Sequence, residues 1–167
     1  MVKNQGGGIV MKIFSSDFED NGVINKRNTC QGEDISPELE IMEVPSGAVS
    51  LAVILEDIDA AVKTESKPLF CHWIIYDIPA AAKKISAGLA RKALMAGGIK
   101  QGINDFGRTG YGGPCPGKGS HRYYFRVYAL DIVLDIAPDK TDWFKITGAI
   151  KGHVVGNGEI MGTYQKI

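Results

Sequence analysis

Three stretches of the chain are apolar almost without interruption, and each is short enough for a buried strand rather than a helix. Residues 49 to 57 (Val-Ser-Leu-Ala-Val-Ile-Leu-Glu-Asp) are aliphatic and β-branched until they end in acid. Residues 70 to 78 repeat the pattern between Pro68 and Pro79, which cannot donate to a sheet ladder. The third stretch, His121 to Leu130, alternates: His121, Tyr123, Phe125, Val127 and Ala129 share one face, and Arg122, Tyr124, Arg126 and Tyr128 the other. By the same period of two, Asp57 leaves its strand on the face of Leu51, Val53 and Leu55, and His72 shares a face with Ile74 and Tyr76. Shorter strands are predicted near Met11 to Ser15, Leu39 to Met42 and Gly158 to Tyr164.

Helical spacing is clearest in Trp143, Ile146, Ile150 and Val154, which predict a helix over 139–155 capped by Asp139 or Thr141. Gly148, Gly152 and Gly156 recur on one face of it. Each costs a helix roughly 1 kcal/mol relative to alanine, so close backbone packing is expected to compensate. Residues 85 to 106 are glycine-spotted, with one helical turn expected near Leu89 to Leu94. Many strands in non-repeating order with one late helix predict a mainly β, antiparallel architecture rather than a βαβ series.

With 167 residues and 44% hydrophobic content, the chain has enough material for one domain with a sizeable core. That domain is taken as residues 11–167 behind a flexible lead-in over residues 1–10 (MVKNQGGGIV), with translation starting at Met1 or Met11. Lys plus Arg and Asp plus Glu both number 19, so no global charge steers the protein to nucleic acid or an acidic membrane. No run of about 18 apolar residues predicts a transmembrane segment, and the first residues lack the apolar core of a secretory signal. The default compartment is the cytoplasm. Cys30, Cys71 and Cys115 show no paired spacing and are read as three reduced, partly buried thiols, with one bridge plus a free thiol as the alternative.

Candidate chemistry gathers where the glycine- and proline-rich segment 110–119 meets the third strand. Gly112, Gly113, Gly117 and Gly119 permit positive φ and close backbone approach, while Pro114 and Pro116 remove donors and stiffen the turn. Such a loop can aim its remaining amides at one anion, beside His121. Asp57 and Asp59 close the first strand, and His72 sits early in the second. Taken singly, a carboxylate at a strand end usually just meets solvent, and a histidine among aliphatics is usually a satisfied core residue. Two aspartates and two histidines at the ends of three buried strands, next to such a loop, point together to a small-ligand site. His153, within the predicted helix, stays outside it. A metal set of Asp57, Asp59, His72 and His121 fits no compact zinc spacing. A Cys115–His121 thiol nucleophile is the other competitor, without a helix N-terminus to activate it.

The segments Cys30-Gln-Gly-Glu-Asp-Ile-Ser-Pro37, Asp57-Ile-Asp-Ala60, His72-Trp73, Gly110-Tyr-Gly-Gly-Pro-Cys-Pro116, His121-Arg-Tyr123, Gly152-His-Val and Gly162-Thr-Tyr164 resemble, in that order, the phosphatidylethanolamine-binding proteins, in their bacterial and archaeal Raf-kinase-inhibitor-like branch. The resemblance runs from Met11 to Tyr164. It implies an antiparallel β-sandwich of a large sheet on a smaller one, a few peripheral helices, and a pocket at one end of the large sheet. Carried over by position, the pocket is lined by Asp57, Asp59, His72, Gly113, Pro114, Cys115, Pro116, His121 and Tyr123 and accepts phosphate or phosphoethanolamine-like groups. Cys115 then contributes its backbone N–H, and Asp57 or Asp59 receives an ethanolamine ammonium. Imidazolium forms of His72 and His121, favoured by the carboxylates, would make anion binding tighter near pH 6 than near pH 8.

Three departures matter. The usual Asp-Pro-Asp-Ala-Pro is Asp57-Ile-Asp-Ala-Ala61 here, which predicts a more mobile or differently shaped loop. Gly117 follows Pro116 where the family's paired prolines are expected. The sequence closing soon after Tyr164 is read as lacking the C-terminal helix that borders the pocket in animal members. The expectation is a non-enzymatic binding protein without catalytic residues, cofactor or metal, taking a small phosphorylated or anionic ligand. Kinase regulation or protease inhibition is what the resemblance adds. The alternatives are a hydrolase or transferase using the histidines and aspartates of the same pocket, and a protein acting through its surface as a homodimer.

Overall fold

The computed structural model describes residues 8–167, and two sheets account for most of the architecture. In chain order the elements are β1 (Ile9–Val10), β2 (Lys12–Phe14), β3 (Gly22–Val23), β4 (Leu39–Met42), β5 (Ser50–Asp57), β6 (Phe70–Pro79), β7 (Lys84–Ile85), β8 (Lys100–Gln101), β9 (Ser120–Leu130), α1 (Trp143–Ile150) and β10 (Val154–Gln165). The large sheet runs β1-β10-β9-β5-β6-β8, with β3 also pairing β10; the small one runs β2-β4-β7. The long central pairs are antiparallel, and the two short strands β1 and β3 lie parallel to β10.

Every residue of β5 is buried, because helix α1 covers one face of the large sheet and the small sheet covers the other. The inner core joins Ile13, Leu39 and Ile41 to Leu51, Val53, Leu55, Trp73, Phe125 and Val127. The outer one joins Ala52, Ile54, Ile74 and Tyr76 to Trp143, Ile146 and Ile150. Burying a side chain of this size is worth about 1.5–3 kcal/mol, so strands apolar on both faces are driven to the centre.

Several expectations are revised. Of the expected lead-in, residues 1–7 lie outside the described residues, whereas Ile9 and Val10 form β1 against Gly156 and Asn157. The helix is shorter than 139–155: Asp142, not Asp139 or Thr141, caps it by accepting from the Lys145 amide, and Gly152 at φ 84° turns the chain into β10. Gly148 meets no atom that a Cβ would touch, so no close packing compensates it; the close approach is at Gly156, which lies in a strand against Pro45. The turn expected near Leu89 to Leu94 does not form; a 3-10 turn at Ala96–Gly98 and the short β8 occupy that region.

Candidate functional site

One irregularity in β6 does most to assemble the site. Leu55 pairs with Trp73 but Glu56 pairs with Cys71, leaving His72 as the extra residue of a bulge. Cys71 and Ile74 face the helix side, so strict alternation would send His72 there as well. The bulge instead puts it beside Trp73 on the inner face, its ring 5.3 Å from that of Tyr123. The expectation that His72 shares a face with Ile74 and Tyr76 is therefore wrong, and the bulge is the reason. Loop 104–112 seals this edge: Asp105 donates its amide to Cys71 O and accepts the Cys71 amide, and Gly112 donates to His72 O.

His72 is buried and donates through Nδ1 to Gly112 O at 2.7 Å, so in the neutral ring Nε2 carries a lone pair. Burial lowers its pKa, outweighing the Gly112 bond and the Asp57 charge, which both act to raise it. The imidazolium expected at this position is not supported. His121 is more exposed. Its Nδ1 donates to Asp57 Oδ2 at 2.8 Å, and the same oxygen lies 3.9 Å from His72 Nε2, beyond hydrogen-bond range. Asp57 Oδ1 accepts the Asp59 amide.

Asp59 takes a different part from the one anticipated. Its carboxylate is gripped by Arg122 through the backbone amide, Nε and Nη2, and this fork holds its pKa down at about 2. Already paired with a guanidinium, it braces the loop rather than presenting a free charge. The segment lacking its two prolines is thus tied down through Arg122 and the Asp57 carboxylate.

Two amides of the glycine-rich loop are already engaged within the fold. Gly112 donates to His72 O and Gly113 to Asp34 Oδ1, and the flanking prolines have no N–H. Gly113 is required because a Cβ there would stand 2.3 Å from Asn28 O. The Cys115 amide and the Asp57 carboxyl both lie near the Tyr123 hydroxyl. Neither reaches hydrogen-bond geometry: Tyr123 is fully buried, and its hydroxyl has no partner among the described residues. Desolvation, with Asp57 nearby, pushes the Tyr123 pKa well up, so the group remains a donor.

Cys115 is joined to Cys30 by a disulfide, and the buried Cys71 is free. The reading of three reduced thiols is overturned, and with its thiol in the bridge Cys115 is no nucleophile. Short-range sequence logic missed the pairing because the partners stand 85 residues apart and meet only when the loops pack. Among the described residues, no group of three or more His, Cys, Asp or Glu is placed to hold a metal ion.

Phe70 and Phe106 were not anticipated. Both rings stand edge-on to His72, at 5.1 and 5.2 Å, and complete an aromatic wall. Phe70 was legible, two residues before His72; Phe106 lies in a loop without periodicity. A cavity of about 680 Å³ elsewhere, lined by Met42, Val44, Pro45, Ala48, Ala80 and Lys83 among others, shares no residue with this cluster.

A two-sheet β fold with buried histidine, aspartate and tyrosine converging at one end of its central strands defines a recognisable class. A sequence model of phosphatidylethanolamine-binding protein matches residues 14–165. A UPF0098 protein of Aquifex aeolicus is 40% identical over 162 residues, covering 96% of this chain and 91% of the relative. One from Methanothermobacter thermautotrophicus is 41% identical, covering 93% and 99%. The crystal structure of a phosphatidylethanolamine-binding protein homolog from Chlamydia trachomatis superposes with a TM-score of 0.82 at 36% identity, covering 95% of this chain and 99% of that one. Escherichia coli YbcL, described as a member of the mammalian family, gives 0.84 at 26% identity, covering 94% and 99%. This chain belongs to the phosphatidylethanolamine-binding protein family. Among its described residues no helix is long and apolar enough to cross a membrane.

Proposed function

We propose that the protein is a non-catalytic binding protein whose site, formed by Asp57, His72, the 113–116 loop, His121 and Tyr123, takes a phosphate or phosphoethanolamine-like group. The observation that carries this reading is the fully buried Tyr123 hydroxyl without a hydrogen-bond partner among the described residues. An unsatisfied buried donor costs about 1–3 kcal/mol, which a ligand oxygen would recover. The Cys115 amide lies near the same point as a second donor.

The surrounding acceptors refine the ligand. Neutral His72 presents its Nε2 lone pair, and Asp57 retains carboxylate lone pairs, so a fully deprotonated anion would meet repulsion there. A phosphoryl oxygen that still carries a proton donates to one of them, and an ammonium could meet Asp57. A phosphate monoester loses its second proton near pH 6, so the protonated form grows as the pH falls. The expectation of tighter binding near pH 6 than near pH 8 is kept, resting on the protonation of the ligand itself rather than on an imidazolium at His72. Calorimetric titration with phosphate and with phosphoethanolamine at both pH values tests it; affinity that rises with pH would refute the ligand assignment.

Cys115 in a disulfide removes the thiol nucleophile weighed for this pocket. His121→Ala should abolish phosphate binding, with no turnover by the parent protein in an esterase and phosphatase screen; turnover lost on the same substitution would favour the hydrolase. Kinase regulation, protease inhibition and a cytoplasmic setting extend the reading by family resemblance, and the site residues do not specify them. For the homodimer, the exposed Ile9, Val10, Phe14 and Met42 offer apolar surface, and light scattering decides it.

A further inference from the structure

The disulfide lies at a mechanical junction. On one side, Cys115 stands between two prolines, three residues after Gly112, whose carbonyl holds the His72 ring at 2.7 Å, and its amide lies near the Tyr123 hydroxyl. On the other, Cys30 donates its own amide to Pro114 O at 3.1 Å. The next residue, Gln31, accepts the Tyr164 hydroxyl at 2.8 Å and the Ile167 amide at 3.0 Å, and so ties this loop to the end of β10. Besides the bridge and the packing of the buried Gly113, Pro114 and Pro116, the loop 113–116 is held by Gly113 donating to Asp34 and by the Cys30–Pro114 bond. Pro114 and Pro116 cannot supply further donors.

Resting on the anion site described above, we propose that the Cys30–Cys115 bridge is a redox switch on ligand affinity: the disulfide fixes the Cys115 amide against Tyr123, and its reduction by a dithiol releases that amide and weakens binding. Cys30 is an exposed residue and Cys115 a half-buried one, so attack comes at the Cys30 sulfur. The reagent's thiolate bonds to that sulfur, the protein S–S bond breaks, and its electron pair leaves on Cys115, which takes a proton from water. The reagent's second thiol then displaces Cys30 as thiolate, yielding two protein thiols and the reagent's own disulfide. Cys71 is buried, and desolvation pushes its thiol pKa well up, so it stays out of the exchange.

Calorimetric titration with inorganic phosphate should compare oxidised protein, dithiol-reduced protein and the Cys30→Ser/Cys115→Ser variant, with far-UV circular dichroism of each. Oxidised protein is expected to bind about tenfold more tightly than the other two, the effect of misplacing one donor to a charged ligand, and reoxidation should restore it. By reciprocity, saturating phosphate should then shift the bridge toward its oxidised form by the same tenfold, about 30 mV for two electrons. Equal affinity in folded oxidised and reduced protein overturns the switch and leaves the anion site standing. Loss of the far-UV signature on reduction overturns it too, by making the bridge a staple of the fold. Absence of phosphate binding by the oxidised protein removes both the switch and the site.

Discussion

Glu56 and Asp57 are neighbours at the end of β5, both buried, yet they face opposite sides of the large sheet and do different work. Glu56 lies on the helix side, where one carboxylate oxygen accepts the Trp143 indole N–H at 2.8 Å and the other accepts Arg126 Nε at 2.7 Å. Arg126 is held further by Glu159 and stacks on Tyr124. That network is closed. On the opposite face, Asp57 is met by His121 and one amide, while beside it the Tyr123 hydroxyl has no partner among the described residues and His72 Nε2 stands 3.9 Å from Asp57 Oδ2. A satisfied buried charge fixes a fold; an unsatisfied buried hydroxyl is what the proposed ligand would meet.

The sharpest way to break this contrast is on the closed side. Glu56→Ala leaves Arg126 and the Trp143 N–H without their buried partner, and urea denaturation should show a loss of about 3 kcal/mol. Phosphate affinity of the folded variant should stay within about twofold. A loss below about 1 kcal/mol would mean that the network is not closed.

Tyr123→Phe is the matching test on the open side. It removes only a hydroxyl without a partner among the described residues, so stability should change by less than about 0.5 kcal/mol or rise slightly, while phosphate affinity falls about tenfold. Substantial destabilisation with unchanged affinity would show that the hydroxyl is a structural donor.

The smallest effect is in pH. Burial depresses the folded pKa of His72 below the ordinary 6.5, so the unfolded chain takes up the proton first. The sign follows: stability is complete above about pH 6.5 and declines as the pH falls from there toward the depressed folded value. Melting temperatures measured between pH 7.5 and 5 should fall, and His72→Gln should flatten that part of the profile. A parent profile as flat as the variant's would show that His72 is not held neutral.

Much of this arrangement was readable in residue order. Full burial of β5 follows from its unbroken apolar run, and alternation along β9 correctly turned His121 and Tyr123 toward the inner face and Arg122 and Arg126 away. What was not readable depends on breaks in periodicity or on distant partners. The side on which His72 emerges is decided by a one-residue bulge, and nothing in Phe70-Cys-His-Trp73 announces it. Asp59 looked available because its competitor, Arg122, lies 63 positions away. Cys30 and Cys115 pair only through loop packing. The late helix was drawn too long because Val154 happened to continue the spacing of Ile146 and Ile150, although Gly152 had already ended it.

The most direct test of the account is a crystal structure of the oxidised protein grown with phosphate. The prediction is one anion with oxygens about 2.6–3.1 Å from Tyr123 Oη and the Cys115 amide, and within reach of His72 Nε2 or His121 Nε2. A site unoccupied at saturating phosphate, with Tyr123 Oη bonded to Asp57 instead, would contradict it.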